Sequence, residues 1–303
     1  VALFDRALSK AFVDALWREA DKNTWWRDVL NDAGLVVAPR GRSLNVYWRG
    51  QAIFTASCPN GELRVTTHEK YLINPALEGQ VPLTADGAFD TKSLEQHVVE
   101  RRYKNKTTLS KLKTVAGLYA GDEKLGCHEI AVRNPSVLDV EIAFPGKYTF
   151  PQGHTATARR VDFAAVEPDG PDARLVFWEA KTYANKDLWP LADGSAPVCQ
   201  QIEDYRTLLA AQRPAVEASY ASVAANLVEF KRMGWTRRLS PLIDAVGTGE
   251  AKLHLGSEPQ VNLVVFGYDD DQKKGMRWKT QLSKLKERIG KVRPVGNATQ
   301  ISL

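Results

Sequence analysis

Residues 174–183 read RLVFWEAKTY. Val176, Phe177 and Trp178 make an unbroken apolar run, the pattern of a strand covered on both faces. That strand places the chain among α/β proteins with a well-buried sheet. Its end breaks the pattern. Glu179 and Lys181 stand two residues apart and project from one face, with Ala180 opposite. Charged side chains at the end of a buried strand are costly unless partnered, so their presence marks a candidate site.

The preceding segment supplies a partner. A strand over 157–166 carries Asp162, and Asp169-Gly170-Pro171-Asp172 reads as a turn centred between 170 and 171. Asp162 lies as far before that centre as Glu179 lies after it. In simple antiparallel register the two acids face each other, with Cβ atoms about 4.5–5.5 Å apart. Two such carboxylates suit a hard divalent cation, Mg2+ or Mn2+, bound through oxygen. The lysine would orient a water, help deprotonate it, or steady phosphate oxygens. The triplet (D/E)-x-K alone means little, since it also begins at Asp90, Asp122, Glu229, Glu250 and Asp271. Only the copy at Glu179 ends an apolar strand with an acid across a hairpin. Glu250-Ala251-Lys252 follows AVGTG, which reads as a loop. The competing reading of 162–181 is a surface hairpin with a salt bridge.

The rest of the chain sorts into two parts. Residues 2–31 carry a helical stripe through Leu3, Phe4, Ala7, Leu8, Ala11 and Phe12. Strands follow over 35–40, 44–50, 52–57 and 63–68, with Asn60-Gly61 as a hairpin signal. Asn74-Pro75 and the stretch 82–87 read as a linker. This gives an N-terminal α+β section over 1–90, suited to DNA or partner binding, and a second unit over 91–303. In the second unit, helices run to Asn134-Pro135, and strands follow over 137–144, 157–166 and 174–183. A helix starts near 198, another follows Pro214, and a strand (260–268) and a helix (279–290) close the chain.

Charge adds to this. The 303 residues hold 41 Lys+Arg against 36 Asp+Glu, a formal +5, with much of the excess in two segments. One is 92–113, with Lys92, Arg101, Arg102, Lys104, Lys106, Lys111 and Lys113. The other is 271–294, with Lys273, Lys274, Arg277, Lys279, Lys284, Lys286, Arg288, Lys291 and Arg293. Such segments line a phosphate-binding surface or form solvated helix faces. Arg42, Tyr47, Trp48 and Arg49 mix aromatic and basic groups as a single-strand binder does, although core packing is the ordinary fate of tryptophan. Cys58, Cys127 and Cys199 are far apart and form no metal-binding or disulfide pattern. His128-Glu129 begins a zincin motif but has Val132 where the second histidine belongs. No apolar run reaches the ~18 residues of a membrane span, and the N-terminus lacks a signal-peptide layout. A cytoplasmic setting without membrane attachment is the expectation. No Walker A motif is present.

Gln201 and Tyr205 share one face of the helix after Lys181, being i and i+4. The series Asp162, Glu179-Ala180-Lys181, Gln201-xxx-Tyr205 resembles the PD-(D/E)xK nuclease superfamily, and within it the RecB/Cas4-like branch with its QxxxY motif. The resemblance covers roughly residues 110–268. It implies a restriction-endonuclease-like αβββαβ core, a mixed sheet flanked by helices. It also implies a Mg2+-dependent deoxyribonuclease acting in bacterial defence, restriction or repair with partner proteins. Asp162, Glu179 and the Ala180 main-chain carbonyl would bind the metal, Lys181 would act on the water, and Gln201 with Tyr205 would support the site and the DNA. The helix acid that many members add is assigned to Glu129, with Glu123 as runner-up. Departures are Val161 in place of the proline before Asp162, and too few cysteines for an iron–sulfur cluster. The alternative is a catalytically silent or partner-gated nucleic-acid- or protein-binding module on the same fold.

Overall fold

The computed structural model describes residues 4–72, 102–144, 147–149, 155–157 and 160–303. The expected linker, the boundary at 90/91 and the start of the helix from 91, with Lys92 and Arg101, lie outside the described residues.

The front section begins with α1 (Lys10–Ala20), where the Ser9 side chain accepts from the Phe12 amide and sets the helix start. The expected helix over 2–31 is therefore two, the second being α2 (Trp25–Leu30). Four antiparallel strands follow in sequence order: β1 (Val36–Pro39), β2 (Ser43–Trp48), β3 (Gln51–Ser57) and β4 (Arg64–Thr66).

Helices α3 (Lys106–Leu118) and α4 (Asp122–Arg133) lead into the main sheet. Its strands are β5 (Val137–Ala143), β8 (Arg160–Asp169), β9 (Asp172–Thr182), β11 (Gln260–Phe266) and β12 (Val292–Pro294), in spatial order β12-β11-β9-β8-β5, with β10 (Leu253–His254) also paired to β9. A two-stranded ribbon of β6 (Lys147–Thr149) and β7 (Thr155–Thr157) lies between β5 and β8 in the chain. β5, β8 and β9 are antiparallel neighbours, whereas β11 runs parallel to β9. The long return from β9 to β11 is made by α5 (Pro197–Ala211), α6 (Arg213–Arg232) and α7 (Pro241–Thr248). α8 (Asp270–Lys274) and α9 (Met276–Ile289) follow β11. The AVGTG segment is not a loop: its first four residues end α7, and Gly249, at φ 82°, caps it.

The unbroken apolar run of β9 has the cause expected of it. Leu175 and Phe177 enter one core with Tyr205, Tyr220 and Leu263, while Val176, Trp178 and Ala180 enter another with Ile130, Val264 and Phe266. The larger core does not stop at residue 90. It holds Phe4, Phe12 and Trp26 together with Tyr220 and Phe230. The Phe4 amide donates to Gln212, and Ser219 Oγ donates to the Phe4 carbonyl. The front section and the main sheet thus share one interior.

One close approach fixes α4. A Cβ at Gly126 would lie 2.1 Å from Phe266 Cε2, so the helix backbone rests directly on a β11 ring. Gly126→Ala is expected to destabilise the fold by about 1–3 kcal/mol, the scale of overpacking a tight core. The urea midpoint measures this.

Candidate active site

The β8–β9 hairpin has the register the turn implies. Pairs run from Asp169↔Asp172 to Phe163↔Trp178, around a two-residue loop in which Gly170 takes φ 62°. Regular pairing then stops one residue short of the acids. Asp162 is not simply opposed to Glu179; its Oδ2 accepts the Ala180 amide at 2.7 Å. The break has a local cause. Val140 and Ile142 pack into different cores although they are two residues apart, and so do Val161 and Phe163. Side-chain alternation therefore reverses at Glu141 and at Asp162. Glu141 takes φ 52°, a strained conformation for a non-glycine residue.

Glu179 and Lys181 are 2% and 7% exposed. Lys181 Nζ donates to Glu179 Oε1 at 2.6 Å, and Gln201 Nε2 donates to the same oxygen at 2.8 Å. Gln201 Nε2 also donates to Tyr205 Oη at 2.8 Å, and the Tyr205 hydroxyl donates to the Arg160 carbonyl at 2.6 Å. One line of hydrogen bonds thus joins α5, the end of β9 and the start of β8. Glu179 Oε2 has no hydrogen-bond partner although it is buried.

The electrostatics follow from burial. Desolvation, then the charge of Glu179, push the Asp162 carboxyl well above its usual range. Desolvation also raises Glu179, against the pull of Lys181, to about 7. Burial would lower the Lys181 ammonium, but the charge and hydrogen bond of Glu179 prevail and hold it at about 12. Two acids thus share an interior with one cation.

The structure does not bring Glu129 to this group. It is half-buried on α4 and pairs with Arg133 at 3.0 Å. At 3.6 residues per turn it lies about 120° around the helix from Glu123. Glu123 is the acid that reaches the end of β9: its Oε2 accepts from Asn185 Nδ2 at 2.8 Å and lies 3.4 Å from the Thr182 amide. The choice between the two helix acids is therefore reversed. His128, 6% exposed, packs edge-to-face against Trp48 with ring centroids 5.0 Å apart, and burial lowers it to about 4. It is a neutral packing residue.

Two neighbours were missed. Glu141 is bracketed by the pairs Val140↔Phe163 and Ile142↔Val161, which puts it beside Asp162. Arg160 Nη1 pairs with Glu141 Oε2 at 3.3 Å. The signal for Glu141 is the one used at Glu179, a charge inside an apolar strand. Cys127, one turn after Glu123, is half-buried beside these acids; desolvation, then Asp162 and Glu123, push its thiol well up.

No family model, no curated protein and no solved structure matches this chain.

Among the described residues no group of three or more His, Cys, Asp or Glu side chains could hold a metal ion. A site with fewer protein ligands would draw on Asp162, Glu179 and a carbonyl. Glu179 Oε2 lacks a partner; the charge of Glu179 raises the proton affinity of Asp162, and that of Glu123 raises Glu179. In a strand, amide and carbonyl of one residue face the same neighbour, so the Ala180 carbonyl turns to the edge where Asp162 takes its amide. Mg2+ is commonly held by one or two carboxylates, with water and phosphate completing its shell. No described helix is long and apolar enough to cross a membrane.

Proposed function

We propose that this chain is a metal-dependent nuclease that hydrolyses DNA phosphodiester bonds on a restriction-endonuclease-like core. The observation that carries the reading is the buried, partnerless Glu179 Oε2 in a group with Asp162 and an ionised Lys181. A merely structural salt bridge needs neither the second acid nor the unsatisfied oxygen. The order α4-β5-β8-β9-α5-β11 agrees with the αβββαβ order of the family the motifs resemble.

Asp162, Glu179 and the Ala180 carbonyl would hold Mg2+ or Mn2+. The bound cation would offset charge on the phosphate and lower the pKa of a water. Lys181, protonated at neutral pH, orients water or a phosphate oxygen as a donor and does not take a proton. Gln201 fixes the Glu179 carboxylate, and Tyr205 fixes Gln201. Bacterial defence, restriction or repair is the proposed setting.

Supercoiled, linear and single-stranded DNA, each with Mg2+, Mn2+ or EDTA, test the activity. Cleavage is expected only with metal. Glu179→Ala and Lys181→Ala should each reduce it roughly 100-fold or more, the scale of losing one charge-stabilising group. Undiminished cleavage in either variant would remove these residues from the site, and a protein that binds DNA but never cuts it is the silent module.

A further inference from the structure

Arg160 stands where three parts of the molecule meet. Its carbonyl accepts the Tyr205 hydroxyl, its guanidinium pairs with Glu141, and its side chain is 67% exposed. It also lines a cleft of about 1400 Å3 together with Gln201, Tyr205, Lys284 and Arg288. The cleft lies between α5 and α9, and Gln201 connects its wall to Glu179.

The basic segment 271–294 divides around this cleft. Lys291 is paired with Glu167, Arg277 lies over the Trp189 ring, and Arg293 lies over Trp178. Lys284 and Arg288 are one turn apart on α9, line the cleft, and have no ion-pair partner among the described residues. Glu203 and Glu287 also line it. They repel phosphates and accept hydrogen bonds from base amino groups, so a nucleic-acid backbone is confined to the line of cations.

We propose that this cleft is the substrate channel of the nuclease described above, that a single nucleic-acid strand occupies it, and that Arg160, Lys284 and Arg288 hold its phosphates. The inference rests on the nuclease reading and adds the substrate's form and path. The volume holds a few nucleotides of one strand. Glu179, joined to the cleft wall through Gln201, is buried, out of reach of a phosphate that stays on the outside of a duplex. The Arg160–Glu141 pair is exposed and therefore weak, and a phosphate offers the guanidinium a two-pronged partner. An incoming strand thus displaces Glu141 from Arg160 at little cost.

The test uses the full chain, a fluorescein-labelled 15-mer oligothymidine and a duplex of the same length, with binding read by anisotropy in EDTA between 50 and 200 mM salt. The wild type should bind the single strand at least tenfold more tightly than the duplex. Each phosphate contact on a single strand contributes about 0.7 to the log–log salt slope. Lys284→Ala/Arg288→Ala should therefore flatten the slope by about 1.4 and weaken binding about tenfold, and Arg160→Ala should flatten it by about 0.7. Lys273→Ala/Lys274→Ala, on α8 and outside the cleft lining, should leave both unchanged. Tighter duplex binding, an unchanged slope in Lys284→Ala/Arg288→Ala, or an equal effect from the α8 pair overturns the channel. If the wild type cleaves DNA with metal while these outcomes occur, the channel alone fails; if it neither binds nor cleaves, the nuclease reading fails with it.

Discussion

Asp162→Asn should sharply reduce cleavage and, in the absence of metal at pH 8, make the protein more stable than the wild type. The substitution keeps an oxygen for the Ala180 amide, which Asp162 Oδ2 now accepts at 2.7 Å. It removes a buried charge whose two largest burdens are desolvation and Glu179. Cleavage should fall roughly 1,000-fold, the upper end for losing one group that organises charge at a reacting phosphate. The unfolding temperature should rise, because the substitution relieves the desolvation of Asp162 and its repulsion with Glu179. Added Mn2+ should raise the midpoint of the wild type, because a ligand of the native state stabilises it, and should leave Asp162→Asn unmoved. A variant less stable than wild type at pH 8 in EDTA would show that Asp162 is held for structure.

The same charges set a pH dependence of definite sign. Glu179 rises from 4.5 in the unfolded chain to about 7 on folding, and Asp162 also moves up. A carboxyl raised on folding contributes its full stability below the unfolded value and loses it as pH climbs through the folded one. Metal-free protein should therefore lose stability between about pH 5 and pH 8. Glu179 alone accounts for about 3 kcal/mol, at 1.36 kcal/mol per pH unit. Lys181 shifts upward too, but its contribution stays constant until pH passes 10.5 and so does not alter this window. Thermal unfolding in EDTA across the range checks the slope, which should disappear in Asp162→Asn/Glu179→Gln.

How much of this could be read from residues alone depended on how local the determinant was. The β8–β9 register was legible because a Gly-Pro turn fixes it within a few residues, and the apolar run of β9 declared burial on both faces. Gln201 and Tyr205 were legible for the same reason, being one helical turn apart. Glu141 was not, because its place beside Asp162 needs the pairing of β5 with β8, across a long connection that fixes no register, and a backbone at φ 52°. The helix acid went to Glu129 because sequence gives the period of α4 but not its rotation. That rotation is set by Gly126 resting on Phe266, which turns Glu123 toward β9. AVGTG was read as a loop because its glycines outweighed the Ser240-Pro241 helix start, where the Ser240 side chain accepts from the Leu242 amide. The front section forms its own sheet but shares a core with the rest, which linker composition does not announce.

That merging makes Asp139 the position with the greatest expected effect on stability. It sits on β5 two residues before Glu141 and is fully buried. Arg40 pairs with its Oδ1 at 2.5 Å, Arg6 approaches Oδ2 at 4.0 Å, and the Tyr220 hydroxyl donates to Oδ2 at 3.1 Å. Both arginines come from the front section and the tyrosine from α6, so one carboxylate joins the front section, β5 and α6. Arg40 also donates to the Val140 carbonyl, beside the strained Glu141. Asp139→Ala would leave two buried guanidinium groups without their anion, and removing one partner of such a group costs about 3–5 kcal/mol. The whole chain should unfold in one earlier transition, because the front section shares the main core. Two separated transitions would show instead that it folds independently. Replacing the group with apolar residues, Asp139→Leu with Arg40→Met and Arg6→Met, removes the stranded charges and should recover most of the loss. Cleavage should stay reduced in the recovered protein, because Val140 would still lack the Arg40 hydrogen bond that holds β5 where Glu141 turns toward Asp162.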